Sequence, residues 1–200
     1  VSDSDIARAL PGDGLIADAE IQIDRATVIR ARATDVWPWI VQLGKSRGGW
    51  YAPMRLQRLI VWPASKRAAT RIVDELQVLR EGDRVPDWGP GDPEFEVVTL
   101  DPPRALVYLS LRDRADSWRW PAGASERTDV MAFSWALILD DLEGGGCRLH
   151  IRLRGRFGRS RPPRRLMAGL GGLLDYLTIV VMFAGLKERV GAKSRSDSNS

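Results

Sequence analysis

The chain has almost no thiol or imidazole chemistry to offer. Cys147 is its one cysteine, so no internal disulfide can form and a zinc site built mainly of cysteine is excluded. His150 is its one histidine, which leaves little for a Ser-His-Asp triad or a histidine-rich metal site. No basic n-region, apolar h-region and cleavage site open the residues, so a secretory leader is not expected and a reducing cytoplasm is the expected compartment. No cofactor-binding fingerprint stands out, and none is expected to be needed.

Each sign of charge is locally scarce. Residues 1–24 carry Asp3, Asp5, Asp13, Asp18, Glu20 and Asp24 against Arg8 alone. Residues 152–165 carry arginine at 152, 154, 156, 159, 161, 164 and 165 and no acid. Such asymmetry marks either a surface for an anionic partner or a solvated face. The arginines follow a strand and a loop without a recognition helix or a base-stacking module, so nucleic acid is not expected as a partner. Peripheral contact with an anionic membrane through Arg152–Arg165 stays open.

What is present fits one domain. Two hundred residues, 44% of them hydrophobic, can bury a core without staples. The expected divisions are a polar N-terminal extension over 1–19, a domain over 20–190 and a disordered polar tail over 191–200. Residues 21–33 alternate as a first strand. Thr34-Asp35 offers an N-cap for a helix through VWPWIVQLG, with Val36, Ile40 and Leu43 on one face, Pro38 in the first turn and Gly44 as the stop. A second short helix is expected from Pro53. GDRVPDWG reads as a short strand or turn, and strands are expected in EFEVVTLDP, RALVYLSLR and SWRW, the last with Trp118 and Trp120 on one face.

The hairpin around Glu143-Gly144-Gly145-Gly146 is the clearest pattern. Met131, Phe133, Trp135, Leu137 and Leu139 share one face of its first strand, and Cys147, Leu149, Ile151 and Leu153 one face of its second. Arg148, His150, Arg152, Arg154 and Arg156 share the other face. The expectation is one buried face and one wet face, with His150 on the wet one and no catalytic part to play. Residues 164–190 read as a long apolar helix that would cover the sheet. A membrane span over Leu166–Leu186 is the alternative, opposed by Asp175 at its centre.

At this point a family pattern is visible. The run LPGDGLIADAEIQIDRATVIRARATDVWPWIVQLGKSRGGWYAPMRLQRL, and after it RIVDELQVLREGDRV and RALVYL, resembles bacterial START-like proteins. These are also called the SRPBCC or polyketide cyclase/dehydrase-like superfamily, with the Bet v 1 type of helix-grip fold. The VWPW, QLG and RGGWY block carries most of the specificity. The resemblance spans roughly residues 10–190 and implies an α+β helix-grip fold. That is a curved antiparallel sheet of about seven strands wrapped around a long C-terminal helix, with two short helices after strand 1 and an apolar cavity between. It also implies binding, or transport, of a hydrophobic small molecule or lipid. Enzymes of the cyclase or dehydrase kind are the alternative function. No catalytic residue is carried over. The glycines at 169, 171, 172 and 185 and the arginine run depart from many relatives.

Several motifs weigh against more specific chemistry. Gly44-Lys45-Ser46 lacks the earlier glycine of a phosphate loop, where Trp39 stands, and it follows a helix rather than preceding one. Lys45 and Arg47 there complement a helix C-terminus. Asp74-Glu75 and Asp140-Asp141 are expected to be solvated. The candidate cavity residues are Trp50, Tyr51, Trp88, Tyr108, Trp118, Trp120, Phe133 and Trp135, which otherwise fill the core, and Asp175 as a polar handle.

Overall fold

Alternation of apolar and polar residues gives the sheet two faces, and the chain covers both. The computed structural model describes residues 1–59, 68–88, 91–121, 129–158 and 172–197, with side chains described for these apart from 58–59, 172–176 and 193–197. Helix α1 (Asp3–Ala7) opens the chain, followed by a 3-10 turn at Asp13–Ile16 and strand β1 (Ile21–Ile29). Helices α2 (Ala33–Gln42) and α3 (Met54–Leu59) come next. Five more strands follow: β2 (Arg84–Pro86), β3 (Glu94–Asp101), β4 (Ala105–Arg112), β5 (Met131–Leu142) and β6 (Gly146–Arg156). Helix α4 (Gly172–Asp197) closes it. The six strands form one antiparallel sheet in the order β1-β6-β5-β4-β3-β2.

The inner face carries the main core. Val36, Trp39 and Ile40 of α2 and Ile179, Met182, Phe183, Leu186 and Val190 of α4 pack on Leu106, Leu137, Leu149 and Ile151 of the sheet. The α4 positions recur at i, i+3, i+4, i+7 and i+11, one face of a helix. Each such side chain, fully buried, stabilises by about 1.5–3 kcal/mol. Gly185 lies on this face because a side chain there would meet backbone: a Cβ would stand 2.6 Å from the carbonyl carbon of Ala52 and 2.7 Å from that of Tyr51. The helix therefore approaches the 51–52 segment at backbone contact. Glycines 169 and 171 lie outside the described residues, as does the expected helix start at 164. No helix among the described residues is long and apolar enough to cross a membrane.

The outer face is where sequence and structure part. It was expected to be wet, and instead residues 1–19 lie across it. Leu10 packs with Ala105, Val107, Ala136 and Ile138. Ile16 packs with Leu111, Val130 and Ala132. Gly12, at φ +90°, lets the turn between them come down on Val107, whose Cγ1 would be 2.5 Å from a Cβ at that position. The arginines of β6 are pinned in the same layer. Arg148 binds Asp5 at 2.6 Å and Arg156 binds Asp18 at 2.8 Å. Arg152, 2% exposed, donates to the Asp24 carboxylate, to Asp13, and to the carbonyls of Asp5, Ile6 and Arg8. It thereby caps the last turn of α1. His150 is fully buried beside it, with Nε2 2.7 Å from Asp24 Oδ1. The acidic N-terminus and the β6 arginines are thus partners of each other. Arginines 159, 161, 164 and 165 lie outside the described residues.

Other departures have local causes. Strand β1 ends at Ile29, and α2 starts at Ala33 without a side-chain cap from its own N-terminus. The N–H of Ala33 is taken by Asp141 Oδ1 at 2.8 Å, while Asp140 pairs with Arg8 at 2.6 Å. Asp140 is part-buried and engaged, while Asp141 is exposed, as expected, even as it takes that N–H; Asp74 and Glu75 are exposed as expected. The SWRW stretch is a turn. Ser117 and Trp118 have φ of 55° and 65°, and Asp113 organises the bend by accepting the N–H of Ala115 at its carboxylate and that of Trp118 at its carbonyl. The resemblance implies about seven strands; six are described. The polar tail expected from 191 continues as α4 to Asp197.

Candidate functional site: an aromatic pocket on the inner face

One row of side chains across the sheet makes the pocket floor. Ile23, Leu153, Trp135 and Tyr108 are register partners on β1, β6, β5 and β4 and all point to the inner face. Phe95 of β3 and Val85 of β2 extend the floor. Thr178 and Ile179 of α4 form the roof, and Leu43 and Trp50, from the junction after α2, form one wall. The enclosed space is about 190 Å³ and is partly open, with Trp88, 46% exposed, at its rim.

The junction 42–51 is built to hold this wall. Helix α2 ends at Gln42, whose fully buried amide accepts from the N–H of Val73 and donates to the carbonyl of Arg71. Arg47 donates to the carbonyl of Val41 in the last turn of α2 and to that of Leu76, so it satisfies the helix end chemically as well as by charge. Lys45 donates to the carbonyl of Asp87 at 2.9 Å, which latches the rim beside Trp88. The Gly-Lys-Ser stretch thus has a structural task at the pocket edge, and its lysine meets a carbonyl.

The rings touch in a continuous set. Trp50 stacks on Trp135 (5.8 Å between centroids, 20°) and meets Trp88 edge-on (5.8 Å, 87°). Tyr108 stacks on Trp135 at 6.1 Å, and Phe95 lies 5.8 Å from Tyr108. Trp50 Nε1 donates to the carbonyl of Thr178 at 3.1 Å, tying wall to roof. Two charged groups border the space. Asp87 is held by Arg112, and Arg25 donates to the carbonyl of Asp24. The Tyr108 hydroxyl is buried with no hydrogen-bond partner among the described residues, and burial pushes its phenol up to about 12.

Four expected cavity residues come together here: Trp50, Trp88, Tyr108 and Trp135. Tyr51 does not. It is fully buried in the core beside the pocket, with its hydroxyl on the carbonyl of Trp39 at 2.9 Å, its ring edge-on to Trp39 and the Arg189 guanidinium over its face. Burial raises its phenol above the usual range. Trp118 sits in the 113–119 turn, and Trp120 stacks under Arg84 on the outer side with Ile16 and Leu111. Phe133 packs edge-on to Phe157 and lies outside the pocket lining. The side chain of Asp175 lies outside the described residues. Phe95, Arg25, Asp87 and Thr178 are pocket residues that sequence reasoning missed. Phe95 alternates inward with Val97, which was a readable signal; Arg25 breaks the apolar inner face of β1, and no pattern announced it.

Nucleophilic and metal chemistry do not converge on this pocket among the described residues. Cys147 is buried elsewhere on the inner face, its thiol pushed up to about 11 by burial first, and His150 is on the other side of the sheet. No group of three His, Cys, Asp or Glu side chains that could hold a metal ion is found among the described residues.

Fold and site together describe an α+β protein in which a six-stranded antiparallel sheet and a C-terminal helix enclose a small aromatic pocket. No protein-family model and no curated protein matches the chain. Solved structures similar to it include a protein from Arthrobacter aurescens, at 13% identity and TM-score 0.48, over 86% of this chain and 86% of that one. A protein of unknown function from Staphylococcus aureus, SA2116, is similar at 10% identity and TM-score 0.48, over 90% and 99%. CalU16 from Micromonospora echinospora is similar at 19% identity and TM-score 0.39, over 86% and 84%.

Proposed function

We propose that the protein binds a small hydrophobic molecule of one or two rings in the pocket between sheet and α4, and that the chain is a helix-grip protein of the START-like kind. The observation that carries the binding reading is the convergence of five aromatic rings, from Trp50, Trp88, Phe95, Tyr108 and Trp135, on one cavity with few polar atoms. Its size narrows the ligand. About 190 Å³ exceeds the ~150 Å³ that admits a benzene. It falls below the ~300–1,000 Å³ usual for drug-sized ligands. A compact aromatic body fits the space better than a sterol or a diacyl lipid. The sequence resemblance supports the same reading through its block of VWPW, QLG and RGGWY, whose second half builds the pocket wall.

Naphthalene is a suitable probe, read by quenching of tryptophan emission. Saturable binding to the native chain is expected, with affinity lowered by about 2- to 10-fold in Trp50→Leu, the worth of one aromatic pairing. Binding that is absent, or equally tight in the variant with its fold intact, would sink the proposal.

A further inference from the structure

We propose that the Asp87 carboxylate is the specificity-determining acceptor of this pocket, and that the ligand carries an uncharged hydrogen-bond donor, a hydroxyl or an N–H, at one end of its apolar ring body; this rests on the binding reading above. Asp87 lines the pocket and comes two residues after Val85, so its side chain falls on the same inner face. Its N–H donates to the carbonyl of Pro93, which continues the β2–β3 pairing by one residue and preserves that alternation. The residue that holds it lies on this face too. Arg112 shares the side of Tyr108 on β4, and its guanidinium stands 5.6 Å from the centre of the Phe95 ring. Only one oxygen of the carboxylate is used. Oδ2 takes the Arg112 N–H, while Oδ1 has no hydrogen-bond partner among the described residues. The side chain is 17% exposed, and Oδ1, unlike the Tyr108 hydroxyl, is not sealed from solvent. A ligand atom can therefore reach it.

Charge decides what kind of donor fits. Arg112 neutralises the carboxylate, and Lys45 sits on the Asp87 carbonyl at 2.9 Å. A cationic ligand would enter beside two cations, and an anionic one would meet the carboxylate. A neutral donor avoids both penalties. An apolar body that fills the pocket takes water away from Oδ1, and a carboxylate oxygen desolvated without a donor is costly. A hydroxyl or N–H placed there makes a charge-assisted hydrogen bond, which is stronger than one between neutral groups. Discrimination should follow the usual asymmetry: a site that presents one polar atom to the ligand disfavours an analogue that leaves it unmet.

The test compares 2-naphthol with 2-methylnaphthalene, in which a methyl group replaces the hydroxyl. Both are titrated at neutral pH into the native chain and into Asp87→Asn by calorimetry, and the fold of each protein is checked by circular dichroism. Arg112 demands an oxygen, so the amide of the variant should turn its NH2 toward the pocket and present a donor where the carboxylate presented an acceptor. The native chain should bind the naphthol at least as tightly as the hydrocarbon, although water holds the naphthol hydroxyl and a pocket without an acceptor would favour the hydrocarbon. In the variant the affinity for naphthol relative to the hydrocarbon should fall about 3- to 10-fold, the difference between a charge-assisted and a neutral hydrogen bond. The hydrocarbon should bind the variant no more weakly than the native chain. A native preference for the hydrocarbon overturns the proposal and leaves the pocket reading in place. So does an unchanged ratio in a folded variant. Should the variant not fold, the native comparison decides alone. If neither compound binds the native chain, both readings fall together.

Discussion

Arg152 shows how much one side chain can decide. Its guanidinium meets two carboxylates and three carbonyls while 2% exposed, and Asp24 beneath it also takes His150 and Gln22. A buried ion pair is weak evidence of net stabilisation, but removing one member strands the other. Arg152→Ala should therefore cost about 3–5 kcal/mol, read by urea unfolding, and should loosen residues 1–13 with it. Arg152→Lys should recover little, because a lysine cannot reproduce the planar fork. A loss below about 1 kcal/mol, the scale of an exposed pair, would contradict the clamp. The alternation of β6 placed Arg152 on the outer face from sequence alone. Its partners, more than a hundred residues away in the chain, were beyond any local pattern, and so the face read as wet.

At the scale of elements, α4 is set by one glycine and α2 by one distant aspartate. Gly185 allows helix and chain to meet at the backbone of Tyr51 and Ala52, where a Cβ would stand 2.6 Å and 2.7 Å from carbonyl carbons. Backbone cannot yield as a flexible side chain can. Gly185→Ala should therefore cost about 1–3 kcal/mol despite the better helix propensity of alanine. Thermal unfolding decides, and a more stable variant would show that the contact is loose. The glycine was visible in the sequence as a departure from relatives. Only the position of residues 51–52 shows that it serves close approach. The N-cap of α2 tells the same story. Thr34 and Asp35 were the local candidates, while Asp141, brought near by the β5–β6 hairpin, holds the first free N–H. SWRW failed as a strand because Asp113 offers the backbone a turn that competes with pairing.

At the scale of the molecule, the sheet lies between two layers of different chemistry. The inner layer is apolar; the outer one is stitched by charge at its edges. Arg148 holds the Asp5 carboxyl well below the usual range, with help from Ser2, and Arg156 and Arg8 lower those of Asp18 and Asp140. A carboxyl depressed in the folded state contributes stability that is present above its ordinary value of 3.8 and lost as pH falls through its lowered one. Asp18 is exposed and Asp5 and Asp140 are part-buried near the surface, so the effect is screened and falls mainly on the contacts of residues 1–19. Acidification from about pH 5 to about pH 2 should release hydrogen-exchange protection in residues 1–19 before the strands lose theirs. Simultaneous loss would show that the layer is integral to the sheet's stability.

Local pattern was enough for the α+β class, the β5–β6 hairpin with its two faces, the apolar run of the last helix and the inward set of Trp135 and Tyr108. These follow from periods of 2 and 3.6 residues, which act over a few neighbours and need no partner to be read. Tertiary structure alone decided what covers each face, because burial is a property of two surfaces and the second comes from elsewhere in the chain. It put residues 1–19 over His150 and Arg152, sent Tyr51 to the core and Trp120 to the outer layer, and buried the Tyr108 hydroxyl in the pocket floor.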